Sequence, residues 1–266
     1  MNLVEAFVLG AIQGITEWLP VSSSGHLVIA ERFLDIQTTE NVLFDLLVHL
    51  GTLLAVCVYF AKELGRIIVS LFTRKDKRNP QMDALRMLGL LLLVATVPAG
   101  VVGVLLSSRI EELFTIEVVA VALVANGLLL FAYEKIGSRG QRRNASLKDA
   151  IVIGLFQAVS IIPGISRSGS TIGGGMLRGL EREVAAVFAF LVSVPTLGGA
   201  IIYGLITLDS YELDALSALT GLFVAFAAGL VSIQYLLKII RQGRLWIFGT
   251  YCLVVGALLL AWVASG

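Results

Sequence analysis

The chain has 266 residues and a formal net charge of +1; 57% of its residues are hydrophobic and only 15% are charged. Its mean hydropathy is +0.90. A soluble domain of this size could not cover so much apolar surface, so the composition excludes a soluble globular protein. We expect an integral membrane protein with membrane lipids as neighbours and with no nucleic-acid partner.

Taken in chain order, the apolar runs predict six membrane-spanning helices. Each run is near the length of about 20 residues that a helix needs to cross the hydrocarbon core. Gly and Ala are frequent in the runs, which favours close helix packing in lipid. The six runs are 41–60, 86–106, 117–134, 184–207, 216–237 and 245–264. Segments 1–35 and 149–182 lie outside them and are less apolar.

The distribution of charge predicts which loops face the cytoplasm. Most of the 20 basic residues lie in segments 62–86, 135–148, 178–182 and 238–244. By the positive-inside rule these segments are cytoplasmic, and the acidic segments 107–117 and 208–214 face outward. Each half of the chain then makes three crossings, so the two halves have opposite orientations.

Segments 1–35 and 149–182 must therefore start and end on one side of the membrane. We predict that each is a re-entrant helical hairpin, one entering from outside and the other from inside. Two complete extra spans in each segment would give the same orientation, so the depth of the turns stays open.

The sequence also repeats itself at an offset of 144 residues. Residues 10–16 align without a gap with 154–160, and residues 21–26 align with 165–170. The pattern is typical of an inverted-topology repeat with a binding site between its halves. We predict one membrane domain, 1–266, whose halves span about 1–135 and 149–266 and are joined by a basic cytoplasmic loop, 135–148.

The polar residues gather at the predicted tips of the hairpins. The first tip reads Glu17-Trp-Leu-Pro-Val-Ser-Ser-Ser-Gly-His26, and the second reads Pro163-Gly-Ile-Ser-Arg-Ser-Gly-Ser-Thr171. Proline ends the incoming helix, and serine can cap the outgoing one. Free N–H groups at a helix start bind anions, and the Arg167 guanidinium suits phosphate oxygens. We predict a phosphate site there.

The two tips differ in the residues that could do chemistry. Ser23 aligns with Arg167, and Glu17 aligns with Ile161, so repeat symmetry does not account for either residue. Arg167 and Glu17 could also form a purely structural ion pair, and His26 could be a hydrogen-bonded histidine at a helix interface. The serines at the tips could be helix caps. These serines are Ser22, Ser24, Ser166 and Ser168.

Two further pairs of polar residues have helical spacing. Gln13 and Glu17 are four residues apart and can point together toward the first tip. Asp45 and His49 are also four apart, and for them a structural role and a supporting role at the site both stay open.

Residues 13–17, 19–26 and 163–169 resemble the two signature motifs of the undecaprenyl-diphosphate phosphatases, the bacitracin-resistance membrane family. The resemblance covers nearly the whole chain. It implies a cytoplasmic-membrane enzyme that removes the terminal phosphate from a C55 polyprenyl diphosphate, recycling the carrier lipid for cell-wall assembly. It also implies an active site open to the outer face and help from Mg²⁺ or Ca²⁺. The family often has Glu where this chain has Gln13.

The resemblance implies a role for each matching residue. Arg167 would hold the diphosphate, Ser23 would attack the terminal phosphorus, and His26 would be a general acid or base. Glu17 would accept the serine proton or bind the metal ion. The four tip serines would donate to phosphate oxygens. Water activated by His26 or Glu17 stays open as an alternative nucleophile.

Other classes of protein stay open at this point. Inverted repeats with broken helices are typical of transporters, so a polyprenyl-phosphate flippase or another carrier is the alternative. A purely structural membrane subunit would not account for Arg, Glu and His at a common centre. The sequence leaves a homodimer open.

Overall fold

The regular structure of the chain is α-helical. The computed structural model describes residues 1–36, 42–77, 79–137, 139–207 and 214–265. In chain order the helices are α1 (Leu3–Trp18), α2 (Ser23–Phe33), α3 (Val42–Tyr59), α4 (Ala61–Phe72), α5 (Pro80–Leu105), α6 (Ser107–Glu111), α7 (Ile116–Gly137), α8 (Leu147–Val159), α9 (Arg167–Leu177), α10 (Arg182–Thr207), α11 (Ala215–Arg241) and α12 (Trp246–Ser265).

Six of these helices are long and apolar enough to cross a membrane: α3, α5, α7, α10, α11 and α12. They correspond to the six apolar runs of the sequence, so the prediction of a polytopic all-α membrane protein is confirmed. The acidic segment 208–214 lies outside the described residues, apart from Asp214, which caps α11.

Helices α1 and α8 begin in the same way, 144 residues apart. Asn2 and Glu5 form a capping box at α1, and Ser146 and Asp149 form one at α8. In each box two side chains satisfy backbone N–H groups that the first turn leaves unpaired. The sequence repeat therefore extends to the local chemistry that starts each hairpin.

Each hairpin packs against a long helix from the other half of the chain. Helix α1 lies along α11, and α8 lies along α5. A Cβ at Gly10 would come within 2.6 Å of the Gly221 carbonyl oxygen, and one at Gly154 within 2.6 Å of the Ala95 oxygen. Glycine at both positions lets the backbones touch, so the hairpins interlock the two halves.

The hairpin helices are short. Helices α2 and α9 have 11 residues each, which gives a length of about 16 Å, too short for the hydrocarbon core of about 30 Å. These lengths agree with hairpins that turn back inside the bilayer. Their re-entrant placement and the opposite orientation of the halves stay predictions.

Helix α4 was not predicted, because segment 62–86 was interpreted as a basic cytoplasmic loop. It follows α3 after Phe60 and packs against α5. Ile67 and Ser70 face the protein, whereas Ile68, Val69 and Phe72 are exposed. The basic segment 62–86 is therefore partly helical rather than a simple loop.

A buried carboxylate fixes the end of the second hairpin away from its tip. Asp149 is fully buried, and its oxygens accept hydrogen bonds from Arg142 at 2.8 and 2.9 Å, from Arg178 at 3.0 Å and from Ser146. Burial alone would raise the pKa of Asp149, but these hydrogen bonds hold it well below its ordinary value. Asp149 thus joins the start of α8 to the loop before it and to the end of α9.

We predict that Asp149→Asn lowers the free energy of unfolding by about 2 kcal/mol, because two arginines lose their counterion. That figure is reduced because both arginines are partly exposed. Thermal unfolding in detergent measures the change. Glu181→Gln, which breaks the exposed pair with Arg143, should change stability by less than about 1 kcal/mol. Equal effects of the two variants would contradict the prediction.

Candidate active site

The first hairpin tip is a tight turn between α1 and α2. Leu19 is extended, as the residue before a proline prefers, so α1 stops at Trp18. Ser22 caps α2 by accepting the Gly25 N–H at 3.3 Å. Its φ of +71° is uncommon for a residue with a side chain and indicates local strain. The strained residue directly precedes Ser23.

The second tip repeats the serine cap without the strained backbone, since Ser166 has an ordinary φ of −75°. Ser166 caps α9 by accepting the Gly169 N–H at 3.1 Å, as Ser22 does at α2. Arg167 is the first residue of α9, just as Ser23 is the first residue of α2. The caps are conserved between the halves of this chain, and the residue that follows each cap is not.

The tips are bonded directly to each other. The Gly164 N–H donates to Ser22 Oγ at 3.0 Å, and Ser168 Oγ donates to the Leu19 carbonyl at 3.2 Å. Both bonds cross from one half of the chain to the other. The N-terminal ends of α2 and α9 are therefore held at one place.

Asn126, on α7, bridges the same two tips. Its amide donates to the Pro20 carbonyl at 3.0 Å and accepts the Ser166 N–H at 3.0 Å. The side chain is 1% exposed. Sequence reasoning missed this residue, although an isolated asparagine inside a spanning run was an available signal.

Glu17 lies at the centre of the site. One carboxylate oxygen accepts from Arg167 at 2.5 Å, and the other accepts from Ser23 Oγ at 2.5 Å and from Gln13 at 2.9 Å. His49 Nε2 lies 3.9 Å from the second oxygen. The predicted convergence of Gln13 and Glu17 from one helical face is present. The ion pair between Arg167 and Glu17, which the sequence left open as a purely structural contact, is also present.

Arg167 has hydrogen-bonding capacity left after it pairs with Glu17. Its guanidinium carbon lies 5.5 Å from the centre of the Trp18 ring. Its buried second terminal nitrogen, Nη1, has no hydrogen-bond partner among the described residues. Arg182 has a similar unpaired nitrogen, but it pairs with Glu134, away from the tips. What distinguishes Arg167 is an unused donor beside Ser23 and two helix N-termini.

His26 is held at both ring nitrogens. Nδ1 lies 2.7 Å from the Ser22 carbonyl oxygen, and Nε2 lies 2.7 Å from the Tyr251 hydroxyl on α12. The structure thus places Glu17, and not His26, in hydrogen bond with Ser23. The general acid–base role of His26 stays a prediction. Tyr251 was missed because nothing local in the sequence relates it to a residue 225 positions away.

Asp45 and His49 share one face of α3, as predicted. His49 Nδ1 lies 2.7 Å from the Asp45 backbone carbonyl oxygen, so this contact involves the main chain of Asp45 rather than its carboxylate. His49 turns its other nitrogen toward Glu17. A supporting role therefore fits His49 more directly than Asp45.

The four predicted phosphate-binding serines are already engaged within the tips. Ser22 and Ser24 lie 3.3 Å apart, and Ser166 and Ser168 lie 3.0 Å apart, measured between the hydroxyl oxygens. Each pair belongs to one helix start. Their role as donors to phosphate stays a prediction.

The described residues offer little protein ligation for a divalent cation. They contain no group of three or more His, Cys, Asp or Glu side chains arranged to hold a metal. Glu17 is the carboxylate that contacts Ser23 and Arg167, and Gln13 stands where a second carboxylate would be needed. A cation at this site would have to draw most of its ligands from a bound substrate.

These features define a polytopic helical membrane protein in which two hairpin tips meet at a cluster of Ser23, Glu17 and Arg167. The chain belongs to the family described as bacitracin resistance protein BacA, whose model matches residues 6–258.

Curated relatives cover nearly the full length of the chain. An undecaprenyl-diphosphatase of Korarchaeum cryptofilum is 40% identical over 98% of this chain and 99% of its own. That of Treponema denticola is 39% identical over 96% of both chains. Undecaprenyl-diphosphatase 1 of Shouchella clausii is 38% identical over 97% of this chain and 95% of its own.

We predict that Gly164→Ala disrupts the junction of the tips. Gly164 has φ +98°, and a Cβ there would lie 2.6 Å from the Ala122 side chain and 2.9 Å from the Val119 carbonyl. We expect a loss of more than about 2 kcal/mol in unfolding free energy. Thermal unfolding in detergent checks this. Gly100→Ala is the control, because a Cβ there meets nothing within 4 Å. A stable Gly164→Ala protein would contradict the prediction.

Proposed function

We propose that this protein is an integral membrane phosphatase that hydrolyses undecaprenyl diphosphate to undecaprenyl phosphate and inorganic phosphate. The reaction recycles the lipid carrier for cell-wall polysaccharide synthesis and confers bacitracin resistance. Family membership and the names of the relatives support this activity. The observation that carries the chemistry is the contact of Ser23 with Glu17, which also pairs with Arg167.

The diphosphate binds where the two hairpin tips meet. Helices α2 and α9 start there, and a helix N-terminus attracts anions through its unpaired N–H groups and its dipole. Nη1 of Arg167 supplies an unused donor. The hydroxyls of Ser22, Ser24, Ser166 and Ser168 can turn to donate to further oxygens. The prenyl chain lies in the bilayer beside the helices.

Ser23 is the nucleophile in this proposal. Its oxygen forms a bond to the terminal phosphorus, the bond to the bridging oxygen breaks, and undecaprenyl phosphate leaves. The Ser23 proton passes to Glu17, which already accepts its hydrogen bond at 2.5 Å. Water then attacks the phosphorus of the phosphoserine, and the bond from phosphorus to Ser23 Oγ breaks. Glu17 returns its proton to Ser23, and the protons of the water leave with inorganic phosphate.

Substrate binding itself prepares Glu17 to act as the base. In the resting site Arg167 donates to Glu17 at 2.5 Å. When the guanidinium turns toward the diphosphate, Glu17 loses its counterion and holds a proton more readily. Arg167 meanwhile stabilises the negative charge on the transferred phosphoryl group. His26 remains the proposed general acid or base for the later proton transfers.

The proposed cation is Mg²⁺ or Ca²⁺. The described residues fit it poorly as a permanently bound metal, because Glu17 is the single carboxylate at the tips. We propose instead that the cation enters with the diphosphate and is held mainly by the diphosphate oxygens. Glu17 would be its protein ligand only in the alternative in which Glu17 does not act as the base. No step above passes through the metal; when bound, it would neutralise part of the diphosphate charge.

The proposed location is the cytoplasmic membrane, with the site open to the outer face. The cytoplasmic assignment of the basic segments supports this orientation. A homodimer stays a proposal. The flippase alternative is less well supported, because the reported relatives are named as diphosphatases and the Ser23–Glu17 pair occurs on one tip only.

We predict that Ser23→Ala lowers phosphate release from undecaprenyl diphosphate by at least about 100-fold. The assay uses protein purified in detergent, with and without EDTA, and measures inorganic phosphate. Ser265→Ala, far from the tips at the end of α12, is the control and should keep full activity. Release by Ser23→Ala at the wild-type rate would reject the serine nucleophile in favour of water.

We predict that Arg167→Lys weakens both binding and turnover, because an ammonium group cannot reproduce the planar fork of a guanidinium. We expect kcat/KM to fall by about 100-fold or more. Steady-state kinetics with the same substrate measure this. Arg241→Lys, which alters an exposed pair with Glu183, should leave kcat/KM within about twofold. Similar values for Arg167→Lys and wild type would contradict the assigned role.

A further inference from the structure

The bonds of His26 define its protonation pattern. Nδ1 lies 2.7 Å from the Ser22 carbonyl, which can only accept, so Nδ1 carries the proton. In the neutral ring Nε2 is then an acceptor. The Tyr251 hydroxyl, at 2.7 Å, is its donor. Tyr251, His26 and Ser22 thus form a continuous chain of hydrogen bonds.

This series of hydrogen bonds ends at Ser22, the strained residue of the first tip. Ser22 has φ +71°, and its carbonyl belongs to the peptide bond that leads into Ser23. Strained backbone persists where surrounding contacts hold it in place. His26 holds the carbonyl side of that peptide, and the Gly164 N–H holds the Ser22 side chain. Both contacts act on the residue that directly precedes Ser23.

Helix α12 supports the same turn at two adjacent positions. The His26 and Tyr251 rings are nearly parallel, with an interplanar angle of 12° and centres 5.6 Å apart. The neighbouring Cys252 thiol accepts from Asn126 at 3.3 Å, and Asn126 holds the Pro20 carbonyl. Tyr251 is 44% exposed on the spanning helix α12, and its hydroxyl lies 2.7 Å from His26 Nε2.

We propose that Tyr251 is a positioning residue for the phosphatase reaction, acting through His26 and the Ser22 carbonyl to hold Ser23 in its attacking orientation. This inference rests on the proposed function and extends it to α12. Tyr251 does not touch the reacting atoms. Substrate binding by Arg167 does not depend on it, whereas the geometry of attack does.

Tyr251→Phe tests the proposal, because it removes the hydroxyl and keeps the ring. We expect kcat for phosphate release to fall about tenfold while KM stays within about twofold. Tyr203→Phe is the matched control: Tyr203 lies on the spanning helix α10 and is 40% exposed. It should keep the wild-type kcat. An unchanged kcat in Tyr251→Phe would overturn the proposal.

A double-mutant cycle separates action through His26 from a general packing effect. His26→Asn removes the Nε2 acceptor, so adding Tyr251→Phe to it should change kcat by less than about twofold. If Tyr251 acts by packing alone, the two losses multiply. Multiplication would overturn the proposal.

A measurement on the resting protein needs no turnover. The chain has two histidines, so ¹⁵N-labelling of histidine gives few ring signals, and His26→Asn assigns them. The His26 Nε2 signal should shift in Tyr251→Phe and stay in place in Tyr203→Phe. An unmoved signal would overturn the proposal. If the signal shifts in Tyr251→Phe but the wild type releases no phosphate, the phosphatase function is rejected and the Tyr251–His26 hydrogen bond is retained.

Discussion

The ion pair between Glu17 and Arg167 is the interaction on which the rest of the site depends. Either charge alone would be costly among apolar spanning helices, so each needs the other. The two residues come from different halves of the chain, and their contact at 2.5 Å requires both hairpin tips to meet. The tight packing of α1 on α11 and of α8 on α5 makes that meeting possible.

This pair differs from the purely structural ion pairs elsewhere in the protein. Around Asp149 both carboxylate oxygens are saturated by two arginines and a serine, and nothing there resembles a reactive group. Glu17 instead shares its charge with a serine hydroxyl, and Arg167 keeps a buried donor unused. A bound anion would pair with this unused donor. An unpaired buried donor is therefore more typical of a binding site than of a purely structural ion pair.

The sequence predicted the parts of the structure that follow from local pattern. Apolar runs located the six spanning helices, and the helical spacing of Gln13 and Glu17 put both side chains at one tip. Contacts between segments far apart in the sequence could not be predicted. No periodicity relates Tyr251 to His26 or Asn126 to both tips, because these bonds depend on how the helices pack. The resemblance implied that Glu17 would accept the Ser23 proton, and Ser23 does donate a hydrogen bond to Glu17. The two contacts of His26, with the Ser22 carbonyl and Tyr251, had no signal in the sequence.

The repeat explains why a symmetric frame can hold a single reactive centre. Both halves kept the serine cap that starts the outgoing helix, Ser22 and Ser166, because each tip needs its backbone N–H groups organised. The residues after the caps diverged into a hydroxyl and a guanidinium. Since neither tip carries both, the proposed chemistry requires the two halves to be in contact. The residues that join the tips are then as necessary to the proposed reaction as those that carry it out.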